Sequence, residues 1–341
     1  MTKIAEEDNE SGAAGLGRRD FLKRLAGASA LALGAGGLCA ALYDPHGPAP
    51  AEDREILRGL GSFAVPAFSG ERGKIAIVRG TDRAAMIERA LQALGGIEQF
   101  IGKGDRVLIK VNAAFATSPA LGATTHPDLL AAMVRLCLKA GAARVLVTDN
   151  PINNPEGCFS LTGLAEATRT SGAMLISPRG DLFVRVSLPG RKLIQNWPVM
   201  AGALDGVTKV IAMAPVKDHH RAGASMILKN FYGLLGGQRN IFHQDINSII
   251  ADLSVLIKPT LAVLDGTMTM MTNGPTGGSL SDLKATQTLI VSTDPVAADG
   301  AGLELLERSP SEIPYLLMAQ EAGAGLADYT KLNPLRIDLR A

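Results

Sequence analysis

The sequence predicts an α/β fold, a mostly parallel sheet with helices on both faces. Three observations carry this. Apolar runs such as residues 107–111 and 145–147 are continuous rather than alternating, the mark of strands buried on both faces. Segments of helical spacing separate these runs, so strand and helix alternate along the chain. Polar clusters then follow the strands, with Asn112 after the first run and Asp149-Asn150-Pro151 after the second. In open parallel sheets ligands bind at that carboxyl edge.

From the amino end, the first element is an export signal. Arg18 and Arg19 are followed by Asp20, Phe21, Leu22 and Lys23, then by a weakly apolar run of Ala, Gly and Leu over residues 25–43. The run leads to Ala49-Pro50-Ala51, a small-residue cleavage pattern, with Glu52 next. This is the pattern of a twin-arginine signal over residues 1–51. It predicts passage through the twin-arginine translocase, already folded, into the periplasm. A spanning helix needs about 20 strongly apolar residues, and this run reads as too short and too rich in glycine. Leu38 before Cys39 stands where a lipoprotein requires a small residue.

Residues 52–73 are punctuated by Gly, Pro and Ser and read as a linker or surface arm, and residues 74–341 as the α/β domain. Within it, residues 75–78 read as a strand, 82–94 as a helix and 107–111 as a strand. Pro127 opens a helix capped by His126 or Thr125, with Leu129, Leu130, Met133, Val134, Leu136 and Cys137 along its apolar side. Gly141 ends it, and a strand follows at 145–147. The second half reads as a helix at 161–171, strands at 174–176, 183–186 and 207–213, helices at 222–235 and 247–257, and strands at 261–264 and 289–292. Asp294 and Pro295 read as the N-cap and first residue of one more helix.

Charge narrows the function. The chain has 34 Lys and Arg against 33 Asp and Glu. Removing residues 1–51, which hold five basic and six acidic residues, leaves 29 against 27, a net charge of +2. So small a field argues against nucleic acid as a partner. Of three cysteines only Cys137 and Cys158 remain after processing, and no Cys-x-x-Cys occurs, which argues against an iron–sulfur cluster within this chain. Cys137, on an apolar helix side, is expected to be buried and unpaired.

The chemistry-bearing residues concentrate in Lys217-Asp218-His219-His220, Ser225, Lys229-Asn230 and His243. Lys217 and His219 are placed on a loop after a strand, and Ser225 and Lys229 four apart on one helix face. Ammonium, imidazole, hydroxyl and amide groups near a helix start suit a phosphate or carboxylate. Lys110 and Asn112 close an earlier strand and are expected to join them. Gly274, Gly277 and Gly278 lie in a glycine-rich loop expected to turn backbone N–H groups toward an anion. His219 or His243 would serve as acid or base near neutral pH, with Asp265 orienting it or holding a metal. A divalent metal on His219, His220, His243, Asp265 and Asp294 is the alternative, without a His-x-x-x-His spacing to strengthen it.

Lys110-Val111-Asn112, Thr125-His126-Pro127, Lys217-Asp218-His219, Lys229-Asn230, His243, Asp265-Gly266, Asn273-Gly274-Pro275 with Gly278, and Asp294-Pro295-Val296 with Asp299 together resemble the family called domain of unknown function 362. The resemblance spans about residues 105–305. It implies no established reaction. Members often carry a ferredoxin-type Cys-rich segment, which is missing here. The expectation is therefore an exported protein that binds an anionic small molecule or cofactor of unknown identity. The competing readings are a metal-dependent enzyme and a delivery factor serving a periplasmic redox partner. Replacing Arg18 and Arg19 together by Lys is expected to leave precursor in the cytoplasm, because recognition needs the guanidinium pair. Cell fractionation checks this, and normal periplasmic accumulation of the variant would contradict the signal.

Overall fold

The computed structural model describes residues 17–45 and 56–340, which divide after Pro45 into two units. In the first, α1 (Arg18–Leu42) is one exposed helix of 25 residues. It is long and apolar enough to cross a membrane, and an N-terminal signal sequence passes the same test. The glycines at 27, 34, 36 and 37 do not interrupt it, so the reading of this run as too short and too rich in glycine to span is overturned in both length and composition. The Ala49–Ala51 cleavage pattern lies outside the described residues.

The second unit opens with a surface arm. Leu57 bridges Val186, Ser62 bridges Lys258, and the Leu60 N–H reaches the Leu256 carbonyl at 2.8 Å. The domain then runs β1 (Ile75–Arg79), α2 (Arg83–Ala93), β2 (Arg106–Lys110), α3 (Pro127–Lys139) and β3 (Arg144–Thr148). His126 caps α3, its Nδ1 accepting the Asp128 N–H, and Pro127 takes the first position. Beyond β3 come α4 (Pro155–Leu161), α5 (Leu164–Ser171), β4 (Met174–Ile176), β5 (Val184–Val186) and β6 (Trp197–Val199). The helix expected at 161–171 is α5, which begins three residues later because Gly163 at φ +72° separates it from α4, a helix the sequence reading did not include.

The largest departure follows. β7 spans Lys209–His219, continuing six residues past the expected end and turning at Gly223 into β8 (Gly223–Ser225). Lys217 pairs with Ser225 in this hairpin, so Ser225 lies on a strand and not on a helix with Lys229. The expected helix at 222–235 shrinks to α6 (Ile227–Asn230) and a following 3-10 turn. Then come α7 (Ile246–Leu256), β9 (Leu261–Met270), β10 (Leu283–Lys284), β11 (Thr288–Ser292), α8 (Pro295–Leu305), α9 (Pro314–Glu321) and β12 (Leu335–Asp338).

The main sheet has the order β12-β1-β11-β9-β7-β2-β3-β4, with β8 and β10 added beside β7 and β9. β9, β7, β2, β3 and β4 are all parallel, and β11 runs against both its neighbours. Alternation along the strands divides the core in two. Leu108, Val210, Ala212, Ala262 and Leu264 face the side covered by α7, α8 and α9, while Val107, Ile109, Ile211, Met213 and Val263 face α2, α3 and α5. Cys137 is buried in this second layer, where burial pushes its thiol up to about 12, and both it and Cys158 are unpaired.

Two carboxylates bind helix starts, one as the helix's own N-cap and one from another helix. Asp294 caps α8, accepting from the Val296 and Ala297 N–H groups at 2.8 and 3.0 Å, and its other oxygen accepts from Leu326 at 2.9 Å. Asp299 accepts from Ile227 and Leu228 at 2.8 and 3.1 Å and so caps α6 from a neighbouring helix, although burial raises its carboxyl to about 7. These bonds explain both residues without a ligand. Asp294→Ala strands three backbone donors, two of them buried, and is expected to cost about 2 kcal/mol in a urea melt.

Candidate functional site

The chain passes from β2 through α3 to β3 on one side, and from β7 through α7 to β9 on the other, so β2 and β7 are neighbours whose connections leave in opposite directions. A crevice opens outside the carboxyl ends of strands at such a switch point. Here it is a cavity of about 190 Å³, walled by Asn112, Phe115, Asp149, Lys217, His219, Ser225, Lys229, Asn230, Tyr232, Arg239, His243, Pro275 and Thr276, among others.

Its floor is an ion pair. Lys110 Nζ lies 2.7 Å from Asp149 Oδ1 and donates to the Val111 carbonyl and to both oxygens of Asn230, at 2.8, 2.9 and 3.1 Å. Asp149 also accepts from the Ala113 and Asn150 N–H groups at 2.6 and 2.9 Å. Asn230 in turn donates from Nδ2 to Met213 O at 3.1 Å, tying α6 to β7. Burial pulls the Lys110 ammonium down and the Asp149 carboxylate opposes that. A side chain on Gly233 would meet Asp149 Oδ1 at 2.0 Å, so only glycine lets this turn close over the pair. Lys110 and Asn230 are thus spent on the frame. The expectation that Lys110 contacts a ligand fails because its hydrogen-bonding capacity is used behind the wall.

Lys217 is different. It is 1% exposed, donates to the Ala123 carbonyl at 2.5 Å and sits 5.4 Å from the Phe115 ring centroid. Lys229, half-buried, lies 5.4 Å from the Tyr232 ring. Among the described residues no carboxylate comes within ion-pair range of either ammonium. Burial, then the charge of Lys229, lowers Lys217 to about 7, and burial, then Arg239, lowers Lys229 to about 8. Arg239 gives two N–H groups to Tyr232 O and Leu235 O and two to Asn150 O and Pro151 O, at 2.7 to 3.1 Å. It therefore adds positive field rather than a free fork.

The imidazoles are not poised as expected. His219 Nδ1 accepts from the Arg221 and Ala222 N–H groups at 3.2 and 3.1 Å, which puts the proton of the neutral ring on Nε2. Burial and then Lys229 push its imidazolium down to about 2. Its role as acid or base near neutral pH fails on that ground, and it remains a neutral donor. His243 Nδ1 lies 3.1 Å from Asn240 O and 3.3 Å from the Tyr232 hydroxyl, and burial lowers it also. Asn112 Oδ1 accepts the Ala114 N–H at 3.4 Å, leaving its NH₂ group at the cavity wall.

Two expectations are corrected by placement. The glycine loop presents Pro275 and Thr276 to the cavity, but the Gly274 N–H goes to Asp218 Oδ2 at 3.3 Å, that of Gly277 to Asn273 O at 2.9 Å, and that of Gly278 to Asp282. These amides are occupied by the protein's own oxygens. Asp265 lies within β9, because that strand runs on to Met270, and it pairs with Arg83 at 2.7 Å beside a second cavity with His126 and Thr124. It orients neither His219 nor His243. With Asp265 elsewhere and Asp294 capping α8, no group of three or more His, Cys, Asp and Glu side chains among the described residues is arranged to hold a metal ion.

Residues 107–304, which include every wall residue named above, match the family model described as Domain of unknown function (DUF362). The chain belongs to the DUF362 family. It is 25% identical over 263 residues to the thylakoid-associated protein sll1697 of Synechocystis, covering 75% of this chain and 77% of that one. A structural-genomics protein from Thermotoga maritima (12% identity, TM-score 0.35) and the lactate racemase apoprotein of Thermoanaerobacterium thermosaccharolyticum (16%, 0.36) are more distant likenesses, matched over 71% and 70% of this chain. The chain spans 60% and 58% of those two.

Sequence reasoning placed Asp149 at the carboxyl edge without giving it a role in this DUF362 site, and missed Tyr232 and Arg239. Asp149 had a signal, its place directly after a buried strand. Tyr232 stands three residues after Lys229, the spacing of one helical face, and Arg239 had none. Lys110→Met leaves Asp149 charged and unpaired and is expected to cost about 3 to 5 kcal/mol. Lys217→Met should do the opposite. With a folded value of about 7 against an ordinary 10.5, folding expels the Lys217 proton between those limits, so its cost is full below pH 7 and gone above the upper limit. The Met variant is therefore expected to gain roughly 1 to 4 kcal/mol below pH 7 and to lose that gain toward pH 10. Urea melts across this range check both.

Proposed function

We propose that this DUF362 protein is exported through the twin-arginine pathway and binds an anionic small molecule at the carboxyl edge of its sheet. The observation that carries the reading is the pair of ammonium groups without a carboxylate counter-ion, Lys217 and Lys229, on one small cavity where, among the described residues, the one lining carboxylate is already committed to Lys110. Buried cations without counter-ions are costly, and an anion entering from solvent relieves that cost. The volume lies below the range of drug-sized sites, which favours a compact ligand bearing a carboxylate or phosphate. Phe115, Tyr232 and Ile152 add an apolar wall for its organic part.

The export half rests on Arg18 and Arg19 at the start of an apolar N-terminal helix. The Synechocystis relative is named a thylakoid-associated protein, which fits a membrane-linked location for this one.

Calorimetric titration with inorganic phosphate and with propionate tests the site. Lys229→Ala is expected to weaken binding by about 1 to 3 kcal/mol, the scale of one charge-assisted hydrogen bond. Affinity should be greatest below pH 7 and decline as Lys217 and then Lys229 lose their protons near pH 7 and 8. Absence of binding, or binding indifferent to Lys229, would refute the reading.

A further inference from the structure

We propose that Lys217 is a covalent nucleophile that forms a Schiff base with a small 2-oxo acid, whose carboxylate is held by Lys229. This rests on the anion site proposed above and names its substrate class. Simple anion binding needs one accessible cation; this cavity has two amines of unlike standing. Lys229 is half-buried beside Tyr232, open enough to meet a carboxylate. Lys217 lies deeper, its nitrogen positioned by the Ala123 carbonyl at 2.5 Å and flanked by Phe115. A lysine desolvated in an apolar pocket and set next to another cation is a known way of making an amine nucleophilic at neutral pH. A ligand with a carbonyl carbon bonded directly to its carboxylate places its electrophile beside one amine while the other holds the charge.

The chemistry closes without a further reactant. The neutral Lys217 amine attacks the 2-oxo carbonyl carbon and a C–N bond forms as the C=O π bond opens. The carbonyl oxygen takes both amine protons and leaves as water, and the product is an imine. Burial and the charge of Lys229 lower Lys217, the Asp149 carboxylate opposes that, and burial with Arg239 lowers Lys229. Arg239, His219, His220 and His243 crowd the cavity with positive or neutral donors, and Asp149 is neutralised by Lys110. Lys217 is half neutral near pH 7, whereas Lys229 keeps its proton to about 8.

The test is reductive trapping on the full chain. The protein is incubated with pyruvate, 2-oxobutyrate or glyoxylate plus cyanoborohydride, and the adduct is located by peptide mass mapping. The expected result is one adduct per chain on Lys217 with at least one of the three acids. Its rate should peak between pH 7 and 8, fall at least tenfold in Lys229→Ala, and slow when propionate competes. Lys217→Met, which is expected to fold, should give no adduct. Adducts on Lys229, or spread over exposed lysines, overturn the proposal. If the oxo acids and propionate bind by calorimetry yet no adduct forms, the Schiff base is wrong and the anion site stands. If neither they nor phosphate bind, both readings fall.

Discussion

The Lys110–Asp149 pair joins the carboxyl ends of two adjacent parallel strands, and the walls of the cavity are placed relative to it. Lys110 leaves β2 beneath α6, where Asn230 accepts its protons and returns its own to β7. Asp149 leaves β3 and collects the N–H groups of Ala113 and Asn150, drawing two loops inward. Gly233 lets the turn after α6 pass over the pair. Two strands, a helix and three loops thereby meet at one buried charge pair. A hydrophobic contact has no direction and could not set those loops so narrowly.

The frame explains why neighbouring lysines differ. Lys110 has a carboxylate and three oxygens around it, so its burial is compensated. Lys217 and Lys229 have none of the first, and each is exposed to the field of further cations. Two packed core layers can carry such a cost, since each fully buried aliphatic side chain contributes about 1.5 to 3 kcal/mol. Expense of this kind clusters at functional sites. Arg239 has the same logic in a third form, its charge held in place by four backbone carbonyls and projected into the cavity without a free donor pair for a ligand.

Histidine shows how local geometry overrides residue type. Three imidazoles near one cavity suggest acid–base chemistry or a metal. Yet Nδ1 of His219 is taken by two backbone amides, and the surrounding lysines repel any proton that would charge the ring. The hairpin that holds it there exists because β7 does not stop where its apolar run ends but continues through Lys217 to His219, paired with β8.

What the sequence determined by itself was the α/β class, most strand and helix cores, the caps at His126 and Asp294, and a group of residues from Asn112 to His243 that meet at one cavity. Continuous apolar strands, helical periods and capping residues act over a few positions, so they can be read without the fold. Strand order was decided only by the tertiary structure, and with it the switch point between β2 and β7 that opens the cavity. So was the fate of each polar group. Lys110, Lys217 and Lys229 are alike in sequence, but whether an ammonium meets a carboxylate, a carbonyl or an aromatic ring at a cavity wall depends on residues far along the chain. The Gly274 amide and Asp265 were misjudged for the same reason, since their partners Asp218 and Arg83 arrive from other parts of the chain, whereas the Gly277 and Gly278 amides are taken by Asn273 and Asp282 within the loop itself.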